Sequence, residues 1–204
     1  MTVGGIVLCG GKSTRMGASK ALLPFGSETM LQRVVRLLGG VVSPIVAVAA
    51  PGQDLPPLPA SVTVTRDERE GRGPLEALRA GLKALPESVD AAYVTSCDVP
   101  LLVPAFVEHM IELLGEDDIA VMEIDGFAHP LSAVYRRRTL PYVESLLAAD
   151  RLRPVFLFEA VKTRRVQPSD VTSVDAHLLT LRNLNTPQDY EEALATSRAA
   201  GDIR

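Results

Sequence analysis

Along most of the chain, short apolar runs alternate with stretches whose apolar residues recur at helical spacing. Ile6-Val7-Leu8, Pro44 to Val48, Val62 to Thr65, Ala91 to Ser96 and Ile119 to Met122 read as strands. Between them, Met30, Val34, Leu37 and Leu38 fall on one helical face behind Thr29 as N-cap, and Gly39-Gly40 ends that helix. A second helix runs from about Leu75 to Leu85 with Pro74 at its first position, and a third, opened by Pro104, aligns Phe106, Met110, Leu113 and Leu114. Strand, helix and strand in succession imply right-handed parallel crossovers. Leu22 to Gly26 reads as a short extended piece and turn, and the prolines between Pro51 and Pro59 mark a surface loop.

The alternation changes at Asp125-Gly126, a hairpin turn, with His129 to Tyr135 returning as an antiparallel strand. A helix is expected from about Leu140 to Ala149, a packed helix start around Pro154, a short strand from Thr163 to Val166 and a last strand from Leu181 to Leu184. Thr186, Pro187 and Asp189 cap a terminal helix, with residues after Ala200 frayed. The expected architecture is α/β: a single Rossmann-like domain over residues 1–204, with a mostly parallel central sheet of about seven strands, one antiparallel excursion and helices on both faces.

Composition narrows the function. A chain of 204 residues with 47% hydrophobic content suits one α/β domain, and a net charge of −4 offers no basic field for a nucleic-acid backbone. No signal-peptide pattern is present, and no apolar run approaches the roughly 20 residues of a membrane helix, so a cytoplasmic protein with no membrane or nucleic-acid partner is expected. Cys9 and Cys97 lack the spacing of a zinc site and are expected to be reduced and buried. They fall at the carboxyl ends of the first and fourth strands, neighbours in a 3-2-1-4 order, and so border any ligand site there.

The candidate chemistry gathers at the same strand ends. Leu8-Cys9-Gly10-Gly11-Lys12-Ser13-Thr14-Arg15-Met16-Gly17-Ala18-Ser19-Lys20 follows the first strand, with two glycines where backbone N–H groups can turn toward an anion and three cations, Lys12, Arg15 and Lys20, beside them. It fits neither a Walker A loop nor G-x-G-x-x-G, and as a bare pattern it reads either as a phosphate loop or as a strand-to-helix turn with solvated charges. Asp98 ends the fourth strand, where a Mg²⁺ could bridge its carboxylate to phosphates, or where the carboxylate could simply cap the Pro100 turn. Arg136, Arg137 and Arg138 form a charge run that reads as a solvated face rather than a substrate clamp. His129, before Pro130, reads as a packed histidine rather than a base. No Ser-His-Asp or Cys-His set stands out.

The loop resembles the L-x-G-G-x-S-x-R-M-G-x-x-K signature of nucleotidyltransferases that activate sugars and cofactors, and within them the molybdenum cofactor guanylyltransferase family, over nearly the whole chain. That resemblance implies transfer of GMP from GTP to the phosphate of molybdenum-molybdopterin, with release of pyrophosphate. It also implies Mg²⁺ on Asp98 of the C-D-x-P motif and catalytic roles for Lys20, Arg15 and Asp98. Leu8, Cys9, Gly10, Gly11 and Lys20 would then hold the nucleotide, with Asp67 on guanine and the Gly73-Pro74-Leu75 turn against the base. Asn183 and Asn185, of an N-x-N-T-P motif, would lie near the metal and the pterin, and Arg153 on the acceptor side. Molybdopterin-loading or molybdoenzyme maturation proteins are the implied protein partners.

Asp67 can accept both N–H groups of guanine's pairing edge, although capping the glycine-rich turn is an equally good use, and Asn185 has a capping alternative too. The sequence departs from the family pattern at Glu76-Ala77, where a smaller pair is usual, and at Ala49-Ala50-Pro51, where an asparagine typically meets the nucleotide. Transfer of CMP to molybdopterin, nucleotidyl transfer to a sugar or polyol phosphate, and a GTP-binding accessory protein without turnover remain as alternatives.

Overall fold

The computed structural model describes residues 1–10, 19–67 and 71–203. In chain order, β1 (Val3–Leu8) is followed by a small antiparallel ribbon of β2 (Pro24–Phe25) and β3 (Glu28–Thr29), then α1 (Met30–Gly39), β4 (Ile45–Ala49) and β5 (Val62–Arg66). Next come α2 (Gly73–Ala84), β6 (Ala91–Ser96), α3 (Pro104–Leu113) and the hairpin of β7 (Ile119–Ile124) and β8 (Phe127–Arg136). The chain closes with α4 (Leu140–Ala148), α5 (Val155–Ala160), β9 (Thr163–Val166), α6 (Pro168–Val171) and α7 (Pro187–Ala199). Seven strands form one mixed sheet in the order β5-β4-β1-β6-β8-β7-β9. β8 alone is antiparallel to its neighbours. The first four parallel strands thus take the 3-2-1-4 order, and the direction of winding reverses between β1 and β6.

Local chemistry explains the elements. Thr29 accepts a hydrogen bond from Gln32 N while the Gln32 side chain accepts from Thr29 N, a capping box that starts α1. Asp125 and Gly126 both adopt positive φ, 51° and 79°, as a tight two-residue hairpin requires. The sheet is covered on both faces. Leu31, Val34 and Leu38 of α1 and Phe106 and Met110 of α3 pack with Val7 and Ala47, and Leu75, Leu78 and Leu82 of α2 pack with Ile6, Val46 and Val94 on the other side. Two glycines set how closely the helices approach β1: a Cβ on Gly81 would meet Ile6 Cγ2 at 2.6 Å, and one on Gly5 would meet Leu38 Cδ2 at 2.7 Å.

Several expectations are corrected. Leu181 to Leu184 is not a strand. The Asp175 carboxylate accepts from Leu179 N (2.8 Å) and Thr180 N (2.9 Å) and winds residues 179–181 into a 3-10 turn, after which Leu184 N donates to Asp98 O instead of to a sheet edge. Residues 201–203 are not frayed: Gly201 and Asp202 donate back to Arg198 O and Ser197 O, and Ile203 packs beside Phe25 and Met30, while Arg204 lies outside the described residues. The arginine run is a solvated face only at Arg138, whose side chain is 60% exposed, while Arg136 and Arg137 are half-buried. Arg136 donates to Gly115 O and Asp117 O, Arg137 to Leu82 O, Leu85 O and Pro86 O, and Arg138 to Glu116 O and Asp118, so all three fasten chain ends at the amino edge of the sheet. Helix α2 starts at Gly73, which moves Pro74 to its second position. Among the described residues, no helix is long and apolar enough to cross a membrane.

Gly81→Ala offers a test of the α2–β1 approach. On helix propensity alone, alanine would stabilise α2 by about 1 kcal/mol. Overpacking against fully buried Ile6 is expected to cost about 1–3 kcal/mol and to prevail, lowering the denaturation midpoint. A raised midpoint would show that the helix can shift at no cost.

Candidate active site

The reversal between β1 and β6 opens a crevice at the carboxyl ends of the parallel strands, where open α/β sheets take ligands. Cys9 N donates to Val48 O and Cys97 N to Leu8 O, so the ends of β4, β1 and β6 are pinned level. Beyond β6, the first half of β8 runs on past the pairing of Ala91–Val94 with Arg136–Ala133 and stands beside the crevice as a wall.

Three distant segments meet at one ammonium group. Lys20 Nζ donates to Asp98 Oδ2 at 2.7 Å and to Asn185 Oδ1 at 2.8 Å, while Ser96 Oγ donates to Asp98 Oδ1. Both partners of the ion pair are largely shielded, with side-chain exposures of 16% for Lys20 and 13% for Asp98. Asn185 reaches the pair because Asn185 N and Thr186 N donate to Asp189 Oδ2 and Asp189 N donates to Thr186 Oγ1, fixing the start of α7. Those bonds, that from Asn185 N foremost, hold the Asp189 carboxyl below the usual carboxylate range. Helix capping is therefore done by Thr186 and Asp189, and the Asn185 side chain is released for the site.

On the other side of β1, Asp67 N donates to Ala49 O, and the Asp67 carboxylate faces Gly10, where an added Cβ would lie 3.7 Å from Oδ2. Asp67 Oδ1 is buried and has no hydrogen-bond partner among the described residues. Burial, then the nearby Glu76 carboxylate, push its pKa up to about 6, with Arg79 opposing. A buried acceptor of this kind lacks only a donor, which a ligand can bring. Gly73, at φ 72°, and Pro74 open α2 toward the same edge.

The remaining candidates divide. Asn183 is exposed two residues before Asn185. Arg153 is exposed in the α4–α5 connection, at the same edge as the start of α2, because Arg72 Nη2 donates to Leu147 O at the end of α4. Neither is hydrogen-bonded through its side chain to the Lys20 cluster among the described residues. Gly11 and Arg15, with Lys12, lie outside the described residues. Cys9 and Cys97 are buried free thiols at the base of the crevice. Cys97 Sγ donates to Cys9 O, and the neighbouring Cys9 side chain, then burial, push the Cys97 thiol well above its ordinary value. His129 is half-buried, and burial lowers its pKa. Sequence reasoning missed Gln53, which bonds to both Cys9 O and Ser19 Oγ from a proline-rich loop that carries no motif. A hollow of about 510 Å³ lies at the opposite, amino edge, lined by Glu87, Asp90 and the three arginines. Their commitment to backbone carbonyls leaves it without chemistry.

A carboxylate–lysine pair thus lies at the strand ends of a 3-2-1-4 sheet, the edge at which open α/β sheets take ligands. The chain matches the MobA-like NTP transferase domain over residues 5–164. It is 37% identical over 193 residues to a probable molybdenum cofactor guanylyltransferase of Mycobacterium ulcerans, covering 93% of this chain and 92% of that one. The corresponding protein of Mycobacterium tuberculosis is 39% identical over 170 residues, covering 81% of this chain and 84% of that one. The chain therefore belongs to the MobA-like NTP transferase family. In fold it is similar to molybdopterin-guanine dinucleotide biosynthesis protein A of Archaeoglobus fulgidus, with a TM-score of 0.77, 19% identity and coverage of 98% and 100%. It is also similar to the 2-C-methyl-D-erythritol 4-phosphate cytidylyltransferase of Thermus thermophilus, with a TM-score of 0.70, 16% identity and coverage of 97% and 100%.

The strained carboxylate gives a pH test. Because the folded pKa of Asp67, about 6, lies above the ordinary 3.8, the native state binds the extra proton between these values and stability falls as pH rises through that window. Asp67→Asn is expected to be more stable than the parent at pH 8, with the difference vanishing below about pH 4. Thermal melts across that range check the sign; a variant less stable at pH 8 would show that the charged form is compensated.

Proposed function

We propose that the whole chain acts as one nucleotidyltransferase domain that moves GMP from GTP to the phosphate of molybdenum-molybdopterin, forming molybdopterin guanine dinucleotide and pyrophosphate. The observation that carries the reading is the Lys20 ammonium held between Asp98 and Asn185 at the ligand edge. The acceptor is a phosphate monoester whose second pKa, about 6, leaves it largely dianionic at neutral pH, so no general base is needed. Its oxygen attacks the α-phosphorus in line; the new P–O bond forms as the bond from the α-phosphorus to the bridging oxygen breaks, and pyrophosphate leaves with the electron pair. Lys20, a flexible point charge, follows the phosphates as negative charge collects on the leaving group, with Arg15 as its second cation.

Asp98 Oδ2 and Asn185 Oδ1 converge on one cation in this structure, and hard oxygen donors from one or two side chains, completed by phosphates and water, are what Mg²⁺ takes. Both residues thus fit a Mg²⁺ site, and when bound the ion would neutralise charge on the phosphate oxygens. Leu8, Cys9, Gly10 and Gly11 hold the nucleotide, Gly73-Pro74 lines the base, and Asn183 and Arg153 serve the acceptor. Guanine is favoured by the buried Asp67 oxygen, which has no donor among the described residues. Guanine N1–H and N2–H can both donate to that carboxylate, adenine offers neither, and cytosine has only one exocyclic amine there.

The test is to incubate the protein with Mg²⁺, molybdenum-loaded molybdopterin and GTP, CTP or ATP in parallel, and to weigh the product. GTP is expected to give the dinucleotide with pyrophosphate. Equal rates with CTP would move the protein to the cytidylyl class, and nucleotide binding without pyrophosphate would make it an accessory protein. Asp98→Asn should lower kcat/KM at least roughly 100-fold, since the amide keeps the shape but loses the charge. Full activity in that variant would remove Asp98 from the reaction.

A further inference from the structure

Cys9 and Ser19 stand at the two ends of the loop that joins β1 to the 3-10 turn of Lys20. One side chain bonds to both. Gln53 Nε2 donates to Cys9 O at 2.8 Å and to Ser19 Oγ at 3.2 Å, and Gln53 Oε1 accepts from Ala50 N at 2.9 Å. The turn that carries it is itself fixed: Gln53 N donates to Ala50 O, Gly52 takes a φ of 70°, and Arg66 Nη1 donates to Ala50 O and Gln53 O. The amide is thus aimed from a rigid turn at both loop ends.

We infer that Gln53 is a positioning residue that ties Cys9 to Ser19, holding the Gly10 backbone and the Lys20 ammonium at a fixed separation so that both act on one nucleotide. The inference rests on the nucleotide site proposed above. Two physical consequences follow from the bonding. Fixing both loop ends before binding removes ordering entropy that binding would otherwise have to supply. Engaging Cys9 O also takes up a carbonyl lone pair at the mouth of an anion site. Because both N–H groups of the Gln53 amide are used within the protein, none remains to read a base, so the brace serves every nucleotide alike. Gln53 is therefore not a displaced substitute for the asparagine missing at Ala49-Ala50; its work is geometric.

The experiment compares the parent with Gln53→Ala, Gln53→Glu and Ser19→Ala. Titration calorimetry with GTP and with CTP is combined with hydrogen exchange of the peptide spanning the β1 loop in nucleotide-free protein. Gln53→Ala should weaken GTP binding roughly tenfold and CTP binding by the same factor, with the loss in KM rather than in kcat at saturating GTP. Gln53→Glu keeps the size but loses both donors and should be no better than alanine, while Ser19→Ala, which removes one bond of two, should fall between. Faster exchange of the loop peptide is expected in both Gln53 variants without nucleotide. Parent-like GTP affinity in Gln53→Glu, a changed GTP-to-CTP ratio in Gln53→Ala, or unchanged loop exchange would each overturn the brace. A parent protein that binds neither nucleotide would instead overturn the proposed function, and the exchange result would still decide the brace.

Discussion

The ion pair between Lys20 and Asp98 is the interaction on which the rest of the site depends. A shielded carboxylate with no partner would be costly, and the ammonium that satisfies it also collects an oxygen from a segment far along the chain. Asp98 is therefore a junction: the strand end that carries it, the turn that carries Lys20 and the residue before α7 all need it in place. The backbone repeats the arrangement, since Leu184 N donates to Asp98 O one residue before Asn185.

A second buried cation fastens the same loop from behind. Arg33 of α1, 1% exposed, donates to Pro100 O at 2.6 Å, two residues past Asp98, and to Ser197 Oγ and Asp202 Oδ2 near the C-terminus, with its guanidinium 5.0 Å from the Phe25 ring centre. The final helix is thus held at both ends around the Asp98 loop. This matters because the family match stops at residue 164, whereas Asn185 and α7 lie beyond it. The site is completed by a part of the chain outside the matched span.

The two sides of the crevice differ in electrostatic character. On the β6 side both carboxylate oxygens of Asp98 have donors, and the site is pre-arranged around a positive charge. On the β5 side, Asp67 has a buried oxygen with no donor among the described residues, and Glu76 adds negative charge beside it. Glu76 is only 3% exposed and is held by Arg79 at 2.7 Å, so the larger residue that departs from the family pattern is accommodated by an ion pair within α2. One side suits phosphates and cations; the other suits a ligand edge rich in N–H groups.

Much of this was legible in the sequence. The apolar runs and helical spacings set the strand and helix order, because β4 and β6 are buried throughout and β1 nearly so, and α1 and α3 each turn an apolar face to the sheet. Asp125-Gly126 gave the hairpin because few pairs tolerate two positive φ values. Lys20 and Asp98 stood out because both follow strands and match the family's motifs, where either alone would pass for an ordinary turn residue. What the sequence could not decide was which segments meet. Leu181 to Leu184 has the composition of a strand, but Asp175 and the Asp98 carbonyl claimed its backbone; Arg136 to Arg138 has the composition of a solvated face, but bare carbonyls claimed its guanidiniums. Gln53, Asn185 and Arg33 acquire their roles only from hydrogen bonds to residues remote in sequence. Such partnerships depend on three-dimensional distance, which local periodicity does not encode.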